Sequence, residues 1–234
     1  MVKSELIKQS PLRILDASMN GGIGKGNVGV LAARHGVGKT SALVHIATDK
    51  LLQGKHVIHV SFANRTVHIL DYYEEIFTEI SKIKNLSGAL AVHDEIASRR
   101  TVMNFDQKAT TTAHVVDSIR ARIKAGGFPA DLVIIDEFDF NHAQAADLRQ
   151  FRDFAQAEGL ELWFSVSLDQ EGDSGAKPIP GLLEKHLASI DVLINLRHHK
   201  DDGKVHLELV KDHGLSPTDM HLILDTKTLL ISQE

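Results

Sequence analysis

The 234-residue chain contains no cysteine. That excludes disulfide stapling, thiolate metal sites and cysteine nucleophiles in one stroke. Aromatic residues make up only 5% of the chain. No apolar run approaches the roughly 18 residues a membrane-spanning helix needs. Residues 1–10 carry no long apolar region either, so no secretory signal is read there and a cytoplasmic protein is expected. Excess positive charge is also missing: 26 Lys and Arg stand against 31 Asp and Glu, a formal charge of −5. Such a balance makes no general case for a nucleic-acid surface. What is present is a 43% hydrophobic content with ordinary glycine and proline usage, enough for one sizeable core.

Strand and helix patterns alternate along the chain. Short apolar strands are expected at 28–32, 56–62, 101–105, 131–137 and 161–167. Further strands are expected near 191–198, 204–211 and 220–231, with a hairpin candidate at Asp201-Asp202-Gly203. Helices are expected at 39–53, 66–84, 89–98, from Thr111 or Thr112 to 125, at 142–158 and, shorter, at 180–189. Residues 169–181 form a glycine- and proline-bearing loop. This pattern gives a three-layered α/β fold with a mainly parallel central sheet and antiparallel C-terminal strands. Residues 1–234 read as a single domain with a variable helical excursion at about 64–104.

The strongest motif is Ala33-Arg34-His35-Gly36-Val37-Gly38-Lys39-Thr40, followed by Ser41. It follows the G-x-x-x-x-G-K-[ST] pattern with alanine at the first glycine. A strand precedes it and an amphipathic helix follows. Backbone N–H groups at such a helix start wrap phosphates. Lys39 then reaches the β- and γ-phosphates, and the Thr40 hydroxyl coordinates Mg2+. The run Leu132-Val133-Ile134-Ile135-Asp136-Glu137 supplies a carboxylate, Asp136, at the end of a buried strand to hold the magnesium. Glu137 beside it can orient a hydrolytic water. ATP/ADP and Mg2+ are therefore the expected ligands.

With these motifs in place, the chain resembles the RecA-like P-loop ATPases. The similarity is greatest to the branch with the clock protein KaiC, RadA-type recombination proteins and DnaB-type helicases. Leu15 to Val28, with its Asn20-Gly-Gly-Ile-Gly-Lys-Gly-Asn27 turn, resembles that branch's lead-in to the first core strand. Residues 204–214 resemble its terminal motif. The resemblance implies a RecA-like P-loop NTPase fold, a homo-oligomer, and a catalytic glutamate after the second core strand. Ala63 and Asn64 occupy that glutamate's positions here, and neither can serve as a base. It also implies a polar sensor on the strand that holds Ser165 and Ser167, with Gln170 a weaker candidate. Finally it implies a lysine-x-arginine pair acting in a neighbour's site. Here that pair reads Lys211-Asp212-His213, and histidine lacks arginine's fork and permanent charge.

Other features carry less chemistry. His198-His199 alternates faces on a strand and lacks a defined third metal ligand. Trp163, Tyr72, Tyr73 and Phe77 read as core. Arg99, Arg100, Arg149 and Arg152 have no interleaved aromatics. Three readings follow: Mg-dependent ATP binding with slow hydrolysis to ADP and phosphate; a non-catalytic ATP-sensing regulatory or assembly module acting on a protein partner; and a recombination or helicase-related motor. Nucleic acid is a weakly supported partner, and no membrane is expected.

Overall fold

In the computed structural model, residues 3–62, 67–86, 88–168, 179–214 and 217–234 are described. Their nine strands form one sheet in the order β3-β2-β4-β5-β1-β6-β7-β8-β9. These are β1 (Val28–Arg34), β2 (Val57–Ser61), β3 (Arg100–Asn104), β4 (Leu132–Asp136), β5 (Glu161–Leu168), β6 (Val192–His198), β7 (Val205–Asp212), β8 (Leu222–Leu224) and β9 (Ile231–Gln233). Strands β3 to β6 in that order run parallel. The last three are antiparallel. The sheet is thus mixed and mostly parallel, in an α/β fold.

Helices cover both faces. One apolar cluster joins Leu31, Ile134 and Trp163 to α1 (Lys3–Lys8), α2 (Leu12–Ser18), α3 (Lys39–Leu52), α4 (Val67–Ile83) and α5 (Ala89–Ser98). The other joins Val30, Val133 and Phe164 to α6 (Thr112–Lys124) and α7 (Ala145–Glu158). Burial on both faces is why β1 and β4 read as near-continuous apolar runs. Local chemistry closes the helices: Thr111 caps α6 by accepting from the His114 N–H, and Gly54 ends α3 at φ +86°, a turn glycine enters without strain.

Three expectations need correction, and two helices were not expected. The expected strand at 220–231 is two strands, because Asp225 turns the chain between them: its carboxylate accepts from the Lys227 N–H and its backbone N–H reaches the Leu230 carbonyl. The segment 181–189 is a 3₁₀ helix. Strand β1 runs on to Arg34, paired through Ala33 with Ser167 and through Arg34 with Leu168. Helices α1 and α2 had no forecast; at six and seven residues they are too short for a helical period to show.

Glycine at 29 is dictated by close approach. A Cβ there would lie 2.6 Å from the Trp163 ring and 2.8 Å from Ile23, and Trp163 is fully buried. Gly29→Ala is expected to lower stability by about 1–3 kcal/mol, read by urea unfolding. On α3, buried His45 accepts the Ile231 N–H at 2.8 Å and so anchors β9. Burial pushes its imidazole down to about 4. The folded value lies below the unfolded one of about 6.5, so the unfolded chain binds more protons between them. Stability from this residue is complete above pH 6.5 and is lost as pH falls toward 4, by about 3 kcal/mol. Melting from pH 7 to 4 should therefore fall more steeply in the wild type than in His45→Gln.

Candidate functional site

Parallel strands align their C-terminal ends, and β1, β4 and β5 end side by side at that edge. This is where open α/β sheets bind ligands. Ala33 is a buried strand residue whose side chain joins the core, and its φ is not positive. Alanine at the first glycine position therefore costs no strain. Arg34, His35 and Gly36 are exposed, and Val37 and Gly38 half-buried. Gly38, at φ +111°, turns directly into α3, whose first N–H groups have no intrahelical acceptor.

Three side chains follow in order. The buried Lys39 ammonium donates to the Ala33 and Arg34 carbonyls at 3.3 and 3.2 Å. Burial lowers its pKa, against the pull of the Asp136 and Glu137 charges. Thr40 Oγ1 donates to Asp136 Oδ2 at 2.9 Å across 96 residues. Ser41 is turned away, its hydroxyl donating to the Gly38 carbonyl at 2.8 Å.

Asp136 is buried at the end of β4. Burial alone would raise its pKa; contacts with His59, Ser165 and Thr40 outweigh that and hold the carboxyl below its usual range. Its Oδ1 has no hydrogen-bond partner. A buried anionic oxygen without a donor, next to a hydroxyl, is a hard oxygen donor set of the kind magnesium takes. The residues present fit that ion.

Glu137 follows, an exposed residue at φ +60°, an uncommon conformation for a non-glycine residue. Its N–H donates to Ser165 Oγ at 2.8 Å, so Ser165 fixes the Glu137 backbone. Desolvation and the nearby Asp136 charge raise the Glu137 pKa. Glu137 lines a cleft of about 250 Å3 with His35, Asp139, Asn141 and Ser167.

This edge gathers the whole segment from Ala33 to Ser41 with Asp136, Glu137 and Ser165. Lys211 and His213 lie elsewhere. Strand β7 is antiparallel, so Lys211 pairs with Leu193 at the start of β6, the opposite edge of the sheet. Its ammonium donates to the Leu187 and Ile190 carbonyls. His213 contacts Asp212 and the Ile23 carbonyl. Ala63, Asn64 and Gln170 fall outside the described residues. One group escaped sequence reasoning: His59 of β2, with Nε2 at 3.9 Å from Asp136 Oδ2. A histidine inside the apolar run Val57–Ser61 was the available signal.

A family model described as an AAA domain matches residues 2–157, two thirds of the chain and all of the segment from β1 to Glu137. The chain belongs to this family. The AAA domain places it among the RecA-like P-loop NTPases, a superfamily of ATP-binding proteins. Among curated proteins, none matches the chain. No helix of the described residues is long and apolar enough to cross a membrane.

Proposed function

We propose that this AAA domain binds Mg-ATP between the β1–α3 loop and β4 and hydrolyses it slowly to ADP and phosphate. Residues 1–234 are read as one RecA-like ATPase domain of the branch containing KaiC, RadA-type and DnaB-type proteins, with its variable excursion at about 64–104, the stretch that carries α4, α5 and β3. The observation that carries the reading is the Thr40–Asp136 hydrogen bond beside a buried lysine. It joins the two phosphate-site motifs directly, across 96 residues of sequence.

The loop from Ala33 to Ser41 offers its backbone N–H groups to phosphate oxygens, with glycines at 36 and 38 where the approach is closest. Lys39, held by two weak carbonyl contacts, turns its ammonium to the β- and γ-phosphates. Thr40 and Asp136 hold Mg2+. When bound, that ion neutralises charge developing on the phosphates. Glu137 is the candidate base: its accessible carboxylate takes a proton from water, and a raised pKa makes it a better acceptor. The Ser165 hydroxyl keeps Glu137 in place by holding its backbone.

A second reading, a non-catalytic ATP-sensing module, draws support from the missing carboxylate at Ala63 and Asn64. Lys211 supports it too, since its ammonium is already bonded to carbonyls of its own chain. A recombination motor would need ATP-dependent binding of single-stranded DNA, which the charge balance disfavours.

Phosphate release from Mg-ATP tests the first reading. Lys39→Ala is expected to abolish nucleotide binding and turnover. Glu137→Gln should retain binding but lose turnover by about a hundredfold or more. Wild-type turnover equal to that of both variants, with binding intact in the wild type, would establish the sensing module instead.

A further inference from the structure

Asp136, His59 and Tyr73 form a buried line from the site edge into α4. Their exposures are 1%, 0% and 1%. Tyr73 OH and His59 Nδ1 are 3.2 Å apart, with the two rings edge-on at 5.7 Å. On the far side, the Arg100 guanidinium sits 4.3 Å over the Tyr73 ring. At the near end, His59 Nε2 faces Asp136 Oδ2 at 3.9 Å, and Nε2 has no hydrogen-bond partner. Thr40 and His59 approach the carboxylate at Oδ2, and the Ser165 hydroxyl also acts on it. Oδ1 has no hydrogen-bond partner.

The line fixes where the protons are. The Tyr73 hydroxyl is buried, and His59 Nδ1 is its hydrogen-bond partner. If Nδ1 carried a hydrogen, the phenolic hydrogen would be stranded and the Nε2 lone pair would face a carboxylate. Both are costly in a dry interior. With Tyr73 donating to Nδ1, the phenolic hydrogen has its acceptor, Nε2 carries the ring hydrogen, and its N–H dipole points at the negative charge 3.9 Å away.

We propose that His59 is a positioning residue for Asp136, its Nε2–H tautomer fixed by the Tyr73 hydroxyl. Resting on the nucleotide reading above, the role concerns the magnesium carboxylate. Together His59 and Thr40 hold Oδ2 from two sides and so set the orientation in which the carboxylate meets the cation. His59 touches neither nucleotide nor metal; it acts through the carboxylate, as groups behind metal ligands do. The line also ties α4 to the phosphate site, because Tyr73 is an α4 residue.

Two measurements on the intact chain test this. The first uses nucleotide-free, metal-free protein: long-range 1H–15N spectra of the histidine rings should show His59 protonated at Nε2 and bare at Nδ1. That pattern should be lost or weakened in Tyr73→Phe. A His59 ring without a proton on Nε2 overturns the proposal. The second titrates magnesium chloride into protein with a fluorescent ATP analogue. His59→Leu should raise the magnesium concentration for half-maximal binding by about tenfold. Tyr73→Phe should raise it less. His59→Gln, which keeps an N–H donor near the Nε2 position, should stay near the wild type. Binding of the analogue in excess EDTA should be the same in all four proteins, which a merely structural loss would not spare. A His59→Leu midpoint equal to the wild type's overturns the positioning role and leaves the nucleotide reading standing. A wild type that shows no magnesium-dependent binding overturns both.

Discussion

A carboxylate as buried as Asp136 must be compensated by whatever surrounds it, and that requirement organises the site. Thr40 arrives from the first turn of α3, Ser165 from β5 and His59 from β2. Each comes from an element adjacent to β4 or directly above it. The sheet order makes this possible: β5 lies between β1 and β4, so a helix that starts after β1 passes over β5 and its first turn reaches the end of β4. A different order would leave the two motifs as far apart in space as they are in sequence.

The same site shows a division between fixed and accessible groups. Thr40, Ser165 and His59 are held by hydrogen bonds or burial, while Glu137, His35 and Arg34 stand in solvent. Fixed groups determine where charge can sit, and accessible groups can meet a substrate and its water. Glu137 belongs to the second kind in its side chain and to the first in its backbone, which Ser165 holds at a positive φ. A hydroxyl read from the sequence as a phosphate sensor thus has a different documented contact, the backbone of its neighbour.

Lys211 and His213 show what strand direction decides. The motif resemblance gave them a role in a neighbour's phosphate site, and in their own chain an antiparallel strand carries them to the sheet edge away from the phosphate loop. Any action on phosphate would have to be exerted in a second copy, and Lys211 would first have to release two carbonyls. His45 marks a different kind of dependence, one in which a single neutral imidazole ties the last strand to the phosphate-loop helix.

The alternation of apolar strands with amphipathic helices, and the glycines and lysine before α3, were legible from residues alone because period and turn chemistry are local properties. They fixed the α/β class and the position of the phosphate loop. Asp136 was legible too, as a carboxylate ending a fully apolar run. The tertiary structure alone decided that Thr40 and Asp136 touch and that Ser165 serves the Glu137 backbone. It alone set Lys211 at the opposite edge and His59 behind the carboxylate, and it split 220–231 at Asp225. Those facts depend on strand order, register and side-chain direction, which follow from contacts between residues tens of positions apart and leave no periodic trace in the chain.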